Sequence, residues 1–431
     1  MRKSKAACES TGGLFCLKAR PLTEKYVPLP LKRPIAMKFL HTSDWHIGQV
    51  LNFHYDRQEE HQYFFDQLCG IIERERPDAL LVSGDLYDKN TPSNTAMRFL
   101  NDNLLRICDI VPEMPIVLTA GNHDSSSRIE SMSGVWKRVN TYFIGAADRV
   151  GEEYLLDKHI IEIPGKGWIA AVPFIPDYQN DLYNIILKEI AARNVHNLPV
   201  ILMGHTTIGN AIFSAHESTT FNGRDIVGGI NSMSLNEIDN DYDYFALGHI
   251  HTPQTLGNGK ARYCGSPVQL NFKEQFPHSV TMITIENHGD MPTIETIELE
   301  PLRKFYVIPS KPTPLEDALA YLENNLPDNQ GYVQVNILSA ERLPSDTENR
   351  IRNILAKGEI LLYCDYKCTR PAMEGGNTIE KPDFNLTEFK EKSPLEIAER
   401  YFRDSNGAEM DDTLTELLNK VIDEVTEERA R

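Results

Sequence analysis

Several large protein classes are excluded by what this chain lacks. Its 431 residues hold no run approaching 18 uninterrupted apolar positions, so no stretch reads as a membrane-spanning helix. The seven cysteines are odd in number, widely scattered and free of any C-x-x-C pair, which removes a disulfide framework. Cys364 and Cys368 stand too far from other ligand types to suggest a thiolate zinc site. A reducing cytoplasm is the compartment this usage fits. There is no G-x-x-x-x-G-K-[ST], and Gly228-Gly229 lies outside any G-x-G-x-x-G frame, so the polypeptide is not an ATPase by itself. Positive charge is also short. With 44 Lys/Arg against 62 Asp/Glu the net charge is −18, the wrong sign for gripping nucleic acid by bulk electrostatics.

What is present is a globular composition, 41% apolar and 25% charged, on a chain long enough for two or three domains. Residues 1–36 differ from the rest. They carry eight Lys/Arg against Glu9 and Glu24, a net of +6, which leaves −24 on residues 37–431. Pro21, Pro28, Pro30 and Pro34 interrupt any regular element there, and no apolar segment suited to secretion accompanies the basic residues. This segment reads as a disordered, dispensable leader, with Met37 as the start of the folded protein.

From Met37 a single pattern recurs: a short apolar run ends in a polar cluster. Met37–His41 leads into Thr42-Ser43-Asp44-Trp45-His46, Ala79–Ser83 into Gly84-Asp85, and Pro115–Thr119 into Gly121-Asn122-His123-Asp124. Val200–Met203 leads into Gly204-His205, and Tyr244–Leu247 into Gly248-His249-Ile250-His251. Runs of this length rich in Ile, Val and Leu predict buried strands. Asp56 predicts the cap of a helix, with Glu59 three residues on and a stripe of Tyr63, Phe64, Leu68, Ile71 and Ile72. Strand–loop–helix alternation predicts an α/β architecture with its ligands at the carboxyl ends of the strands. Beyond residue 300 the polar clusters stop. Phe305–Ile308, Tyr332–Ile337 and Ile360–Cys364 predict strands, separated by helices over Leu315–Leu326 and Thr347–Lys357. The resulting division is 37–300 for the main domain, 301–368 for a small α+β cap, 369–392 for a linker rich in Pro, Gly and Asn, and 393–431 for a helical tail. The tail contains one amphipathic helix over Pro394–Arg403 and a second with Leu414, Leu417, Leu418, Val421, Ile422 and Val425 on one stripe.

The residues that end the strands are Asp44, His46, Asp85, Asn122, His123, His205, His249 and His251. Alone, each cluster is an ordinary turn. Together, carboxylate, imidazole and amide oxygen form a borderline donor set that suits Mn²⁺, Fe²⁺ or Zn²⁺ better than Mg²⁺ or Ca²⁺. Seven of the eight make two sets of four if one carboxylate bridges, as two cations about 3.5–4 Å apart require. His249 and His251 stand at i and i+2, which in a strand puts both imidazoles on one face.

D-x-H, G-D, G-N-H-D, G-H and G-H-x-H in this order resemble the calcineurin-like metallophosphoesterases. One branch is similar in further detail, the bacterial SbcD nucleases. The likeness includes Leu40-His41-Thr42-Ser43-Asp44-Trp45-His46, Gly48-Gln49, Arg57 with Glu60-His61, Ala246–His251 and Arg262-Tyr263-Cys264-Gly265-Ser266-Pro267. It runs strongly from Met37 to Phe272 and by layout beyond. The resemblance implies a four-layer α/β/β/α phosphoesterase domain and a DNA exonuclease and endonuclease acting on ends and hairpins in repair and recombination. It implies two divalent ions, expected to be Mn²⁺, one held by Asp44, His46, Asp85 and His251 and one by Asp85, Asn122, His205 and His249. His123 would then serve catalysis at the leaving oxygen, and Asp124 would orient a neighbouring imidazole. Partners implied are DNA and an SbcC-type ATPase gripped by the C-terminal helices, with the chain a homodimer within a heterotetramer. A small-molecule phosphodiesterase or phosphatase is the alternative, because fold does not fix substrate. The extra α+β segment, the helix pair and the Arg57–His61 cluster favour the nuclease. Trp45 and Tyr87 flank the loops and either stack on a base or wall the site. His54, His159, His216, His278 and His288 have no ligand-like neighbours and are expected to be solvated, and Asp88 has a place on the rim without a role.

Overall fold

The computed structural model describes residues 36–370 apart from short breaks (176–180, 210, 213–217, 222–223, 228–229, 232, 258 and 359–360), and scattered positions between 395 and 419. Residues 1–35 of the basic leader, residues 371–394, His216, most of the first tail helix, and Val421, Ile422 and Val425 of the second lie outside the described residues.

Two six-stranded sheets lie face to face. The first contains β1 (Met37–Thr42), β4 (Ala79–Ser83), β5 (Ile116–Thr119) and β6 (Thr141–Ile144), all parallel, with Ser279–Ile285 and then Thr293–Glu298 added antiparallel beside β1. A short hairpin of β2 (Val50–Leu51) and β3 (Tyr55–Asp56) follows β1. The second sheet has four parallel strands, Gly167–Ala171, Val200–His205, Tyr244–Gly248 and Ala261–Tyr263, flanked by antiparallel Ile160–Ile163 and Gln254–Leu256.

The apolar runs are continuous because these strands are covered on both faces. Met37, Phe39, Ala79 and Leu81 point into the layer between the sheets, where they meet Ile169, Ile201, Met203 and Ala246. Their neighbours Leu40, Leu80 and Val82 point the other way, against α1 (Gln58–Glu75), α2 (Asn94–Ile110) and α3 (Ser126–Trp136). On the far side α4 (Asp181–Arg193) packs Leu182, Ile186 and Ile190 against Val200 and Leu202. The order is helix, sheet, sheet, helix. In α1 the expected stripe is buried at Phe64, Leu68, Ile71 and Ile72, whereas Tyr63 sits at the edge and Phe65 joins the core instead. Arg57 rather than Asp56 takes the N-cap position, and Asp56 Oδ1 accepts from the Gln58 amide at 2.7 Å.

A smaller unit follows, with three parallel strands at Lys304–Pro314, Gly331–Leu338 and Leu361–Thr369. Its crossovers are α5 (Leu315–Asn324) and α6 (Thr347–Leu355), and Leu319, Leu322, Val333, Val335 and Ile351 form its own core. A separate apolar cluster of Leu51, Phe272, Phe305, Tyr332 and Cys364 joins it to the larger unit.

Candidate metal centre

The parallel strands of both sheets end at one edge, so five loops meet where the sheets face each other. His205 is the last residue of its strand, but most of the other side chains are aimed inward by the turns after the strands. Asp44, His46, Asp85 and His249 have φ of 53°, 47°, 50° and 100°, left-handed values that cost a non-glycine residue about 1–3 kcal/mol each. Asp and His are among the types that tolerate this region best. Backbone bonds across β1 and β4 hold the first turn: the Asp44 amide donates to Gly84 O, His46 to Asp85 O and Ile47 to Leu86 O, each at 3.0 Å. Two glycines are there for close approach. A Cβ on Gly84 would lie 2.1 Å from His205 Nδ1, and one on Gly121 would lie 2.1 Å from Asp85 Oδ1.

The side chains converge. His46 Nε2 stands 3.2 Å from His251 Nε2 and 3.6 Å from Asp85 Oδ2, and His205 Nε2 stands 3.4 Å from the same carboxylate oxygen. Asn122 Oδ1 lies 3.0 Å from His205 Nε2 and 2.9 Å from His249 Nδ1. Asp44 accepts from the His249 amide at 2.9 Å and from the Ser43 hydroxyl. Ligand atoms of Asp44, His46 and His251 fall within 4.8 Å of one another, and so do those of Asp44, Asp85 and His205. Those of His46, Asp85 and His123 form a third such group.

These residues fit divalent cations. His205 Nδ1 lies 2.8 Å from the carbonyl of Ser83 and His251 Nδ1 lies 3.0 Å from Glu274 Oε1. Protons on those nitrogens leave both Nε2 lone pairs facing inward. The 3.2 Å approach of His46 Nε2 and His251 Nε2 requires a proton or a cation between the two nitrogens. Burial works against a charged His205, yet Asp85 beside it raises the imidazole to about 9. Burial likewise pushes Asp85 up, but His205 and His46 outweigh it and hold the carboxylate well below its ordinary range. His46, with burial dominant, lies well below its usual value.

His123 is exposed at the mouth. Its amide donates to Asp85 Oδ1 at 2.8 Å, and its Nδ1 lies 2.9 Å from the carbonyl of Asp88, which gives that rim residue a backbone task. Asp124 differs from expectation. It accepts from the amides of Leu86, Tyr87 and Gly121 at 2.9–3.0 Å and thereby ties two ligand loops together, with no imidazole among its hydrogen-bond partners. The orienting of imidazoles expected of that one acid falls instead to Glu274 and to the Ser83 and Asp88 carbonyls. Glu274 escaped the sequence reading, because nothing near it in the chain marks it. It is buried and also accepts from the Leu270 amide at 2.7 Å and Asn271 Nδ2 at 2.8 Å. Trp45 and Tyr87 are buried, walling the site rather than offering a stacking face. His159 and His278, expected in solvent, are buried and bonded to the carbonyls of Ala171 and Ser266. His54 is exposed, and His288 is half-buried beside Asp243.

The calcineurin-like phosphoesterase family profile matches residues 37–253, which takes in all five loops. The chain belongs to the calcineurin-like phosphoesterases. Among curated members it is 32% identical over 321 residues to an SbcCD nuclease subunit of Rhodobacter capsulatus, covering 68% of this chain and 77% of that one. The SbcCD nuclease subunit of the same name from Bacillus subtilis is 26% identical over 419 residues, 92% of this chain and 100% of the relative. Its Escherichia coli K12 namesake is 30% identical over 294 residues, 61% and 68% of the two chains. This phosphoesterase is therefore similar to nuclease subunits along most of its length, and its site has the composition of a divalent-metal centre.

Proposed function

We propose that this phosphoesterase is the nuclease subunit of a DNA-processing complex and hydrolyses phosphodiester bonds at DNA ends and hairpins. The observation that carries the reading is the meeting of seven donor side chains at the shared edge of the two sheets, with Asp85 Oδ2 3.6 Å from His46 Nε2 and 3.4 Å from His205 Nε2. Asp44, His46, Asp85 and His251 would hold one ion, and Asp85, Asn122, His205 and His249 the other. The donor set suits Mn²⁺, which takes mixed carboxylate and imidazole ligands. When bound, such ions neutralise charge developing on the phosphoryl oxygens and supply an activated water.

The chain's own residues do the rest. Gly84 and Gly121 let the loops approach, and Asp124 locks them. His123, pinned through Nδ1 to the Asp88 carbonyl, stands exposed beside His46 with ring centroids 4.8 Å apart. Its remaining nitrogen delivers a proton to the leaving oxygen. The nuclease names of the relatives weigh against a phosphatase, and so does the small α+β unit, which serves here as a cap. For a chain of net charge −18, an SbcC-type ATPase partner would supply the missing positive DNA-binding surface. The tail, 393–431, is the proposed grip on that partner, with two copies of each chain in a cytoplasmic assembly. No helix among the described residues is long and apolar enough to cross a membrane.

The test compares linear duplex DNA with p-nitrophenyl phosphate in Mn²⁺, with and without the ATPase. Duplex degradation that needs the ATPase, together with weak phosphatase turnover, is expected. Turnover of p-nitrophenyl phosphate alone would overturn the nuclease reading. Replacing Leu418 and Ile422 by Asp should abolish co-purification with the ATPase; unchanged binding would remove the tail from the interface.

A further inference from the structure

The sequence cluster Arg57, Glu60 and His61 has no place in the metal set, yet all three side chains are buried, Arg57 to 1% exposure. They stand at i, i+3 and i+4 across the N-cap and first turn of α1, hence on one face. That face looks two ways. His61 Nε2 lies 2.7 Å from the carbonyl of Trp45, and its Nδ1 lies 2.8 Å from that of Arg57. The Trp45 peptide sits between Asp44 and His46, both left-handed, so His61 restrains a strained turn at its centre. The other two residues reach the small α+β unit. The Arg57 guanidinium lies 5.0 Å from the Phe305 ring and 5.1 Å from the Tyr332 ring, and donates to Gln269 O at 3.0 Å. Glu60 Oε1 accepts from the Tyr332 hydroxyl at 2.7 Å and from Arg303 Nη1 at 2.9 Å. Burial opposes the Glu60 carboxylate, but Arg57 and these hydrogen bonds outweigh it and keep the group charged. A cavity of about 250 Å³ lined by Arg57, Glu60, His278 and Arg303 runs along the same seam, so the junction is not packed solid.

We propose that Arg57, Glu60 and His61 are positioning residues that make the geometry of the Asp44–His46 turn depend on how the small unit is docked. Docking fixes the first turn of α1 through Arg57 and Glu60, and His61 passes that position to the peptide between two ligands. A shift of the small unit relaxes the turn and loosens the metal site without touching a ligand. This inference rests on the metal reading of the site, and its test separates the two.

Metal-free protein is titrated with Mn²⁺, with free ion followed by electron paramagnetic resonance, and amide exchange is measured at Trp45, His46 and Ile47. Tyr332→Phe and Glu60→Gln should each weaken Mn²⁺ binding roughly two- to thirtyfold and speed that exchange. In a His61→Ala background Tyr332→Phe should add nothing, because the connection is already cut. Leu322→Ala, inside the small unit's own core, should lower its melting temperature and leave Mn²⁺ affinity unchanged while the unit stays folded. Unchanged affinity and exchange in Tyr332→Phe and Glu60→Gln would overturn the proposal, as would an equal loss in Leu322→Ala. If His61→Ala fails to fold, the Tyr332 and Glu60 variants decide. A wild-type chain that takes up no Mn²⁺ would overturn the metal reading instead, and the exchange rates would still report on the connection.

Discussion

The edge of the two large sheets and the small α+β unit are built from the same elements under opposite constraints. At the edge, four of the ligand-type residues adopt left-handed φ and Asp44, Asp85 and His205 are buried together. In the small unit, no described residue from 301 to 369 has positive φ, and the core is Leu, Ile, Val, Ala and Tyr. Among the described residues, ligand-type side chains with strained backbone and buried charge gather at the edge where cations are to be held, and the small unit obeys ordinary packing. The larger sheets must be stable enough to tolerate that edge, and the small unit has no such load.

Asp85→Ala would break the contrast most severely. Removing the shared carboxylate should empty both metal positions and abolish cleavage, with metal content after purification as the measure. His123→Ala comes next. It should keep its metal and cleave about 10²–10⁴-fold more slowly. Equal metal loss in the two variants would make His123 a ligand and cancel its assigned role. Glu274→Gln sharpens the picture at one remove: it keeps the shape but loses the charge that orients His251, and Mn²⁺ affinity should fall about 10- to 100-fold. An unchanged titration would show that the Asn271 and Leu270 contacts, not His251, explain why that acid is buried. The mildest test lies in the small unit. Leu322→Ala should destabilise it by about 2–5 kcal/mol in denaturant melts, with metal content intact. Metal loss there would mean that the small unit's own core, and not only its docking through Glu60 and Tyr332, governs the site.

Much of the fold was legible because strands buried on both faces leave plain apolar runs. β1, β4, Val200–His205 and Tyr244–Gly248 begin where those runs begin, and the small unit's two helices begin as expected at Leu315 and Thr347, whereas its first and last strands run past the expected Ile308 and Cys364 to Pro314 and Thr369. The candidate ligands were legible because each follows such a run directly. Readings that relied on sequence neighbours failed where the relevant partner is distant. His159 looked solitary and bonds to Ala171 through a strand pairing, and His278 bonds to Ser266 across a loop. Glu274 meets His251 from 23 residues away, and Tyr332 meets Glu60 from 272.

From the sequence alone one can state which residues end the strands, and their donor chemistry narrows the ion, because both depend on local pattern and residue type. Tertiary structure alone decided which donors face each other. The 3.2 Å approach of His46 and His251 joins loops 205 residues apart, and only the stacking of two twisted sheets brings them together. The supports behind those donors were decided the same way. Asp124 binds amides rather than an imidazole because the nearest unpaired groups at its position are backbone N–H, and a buried carboxylate takes the donors within reach.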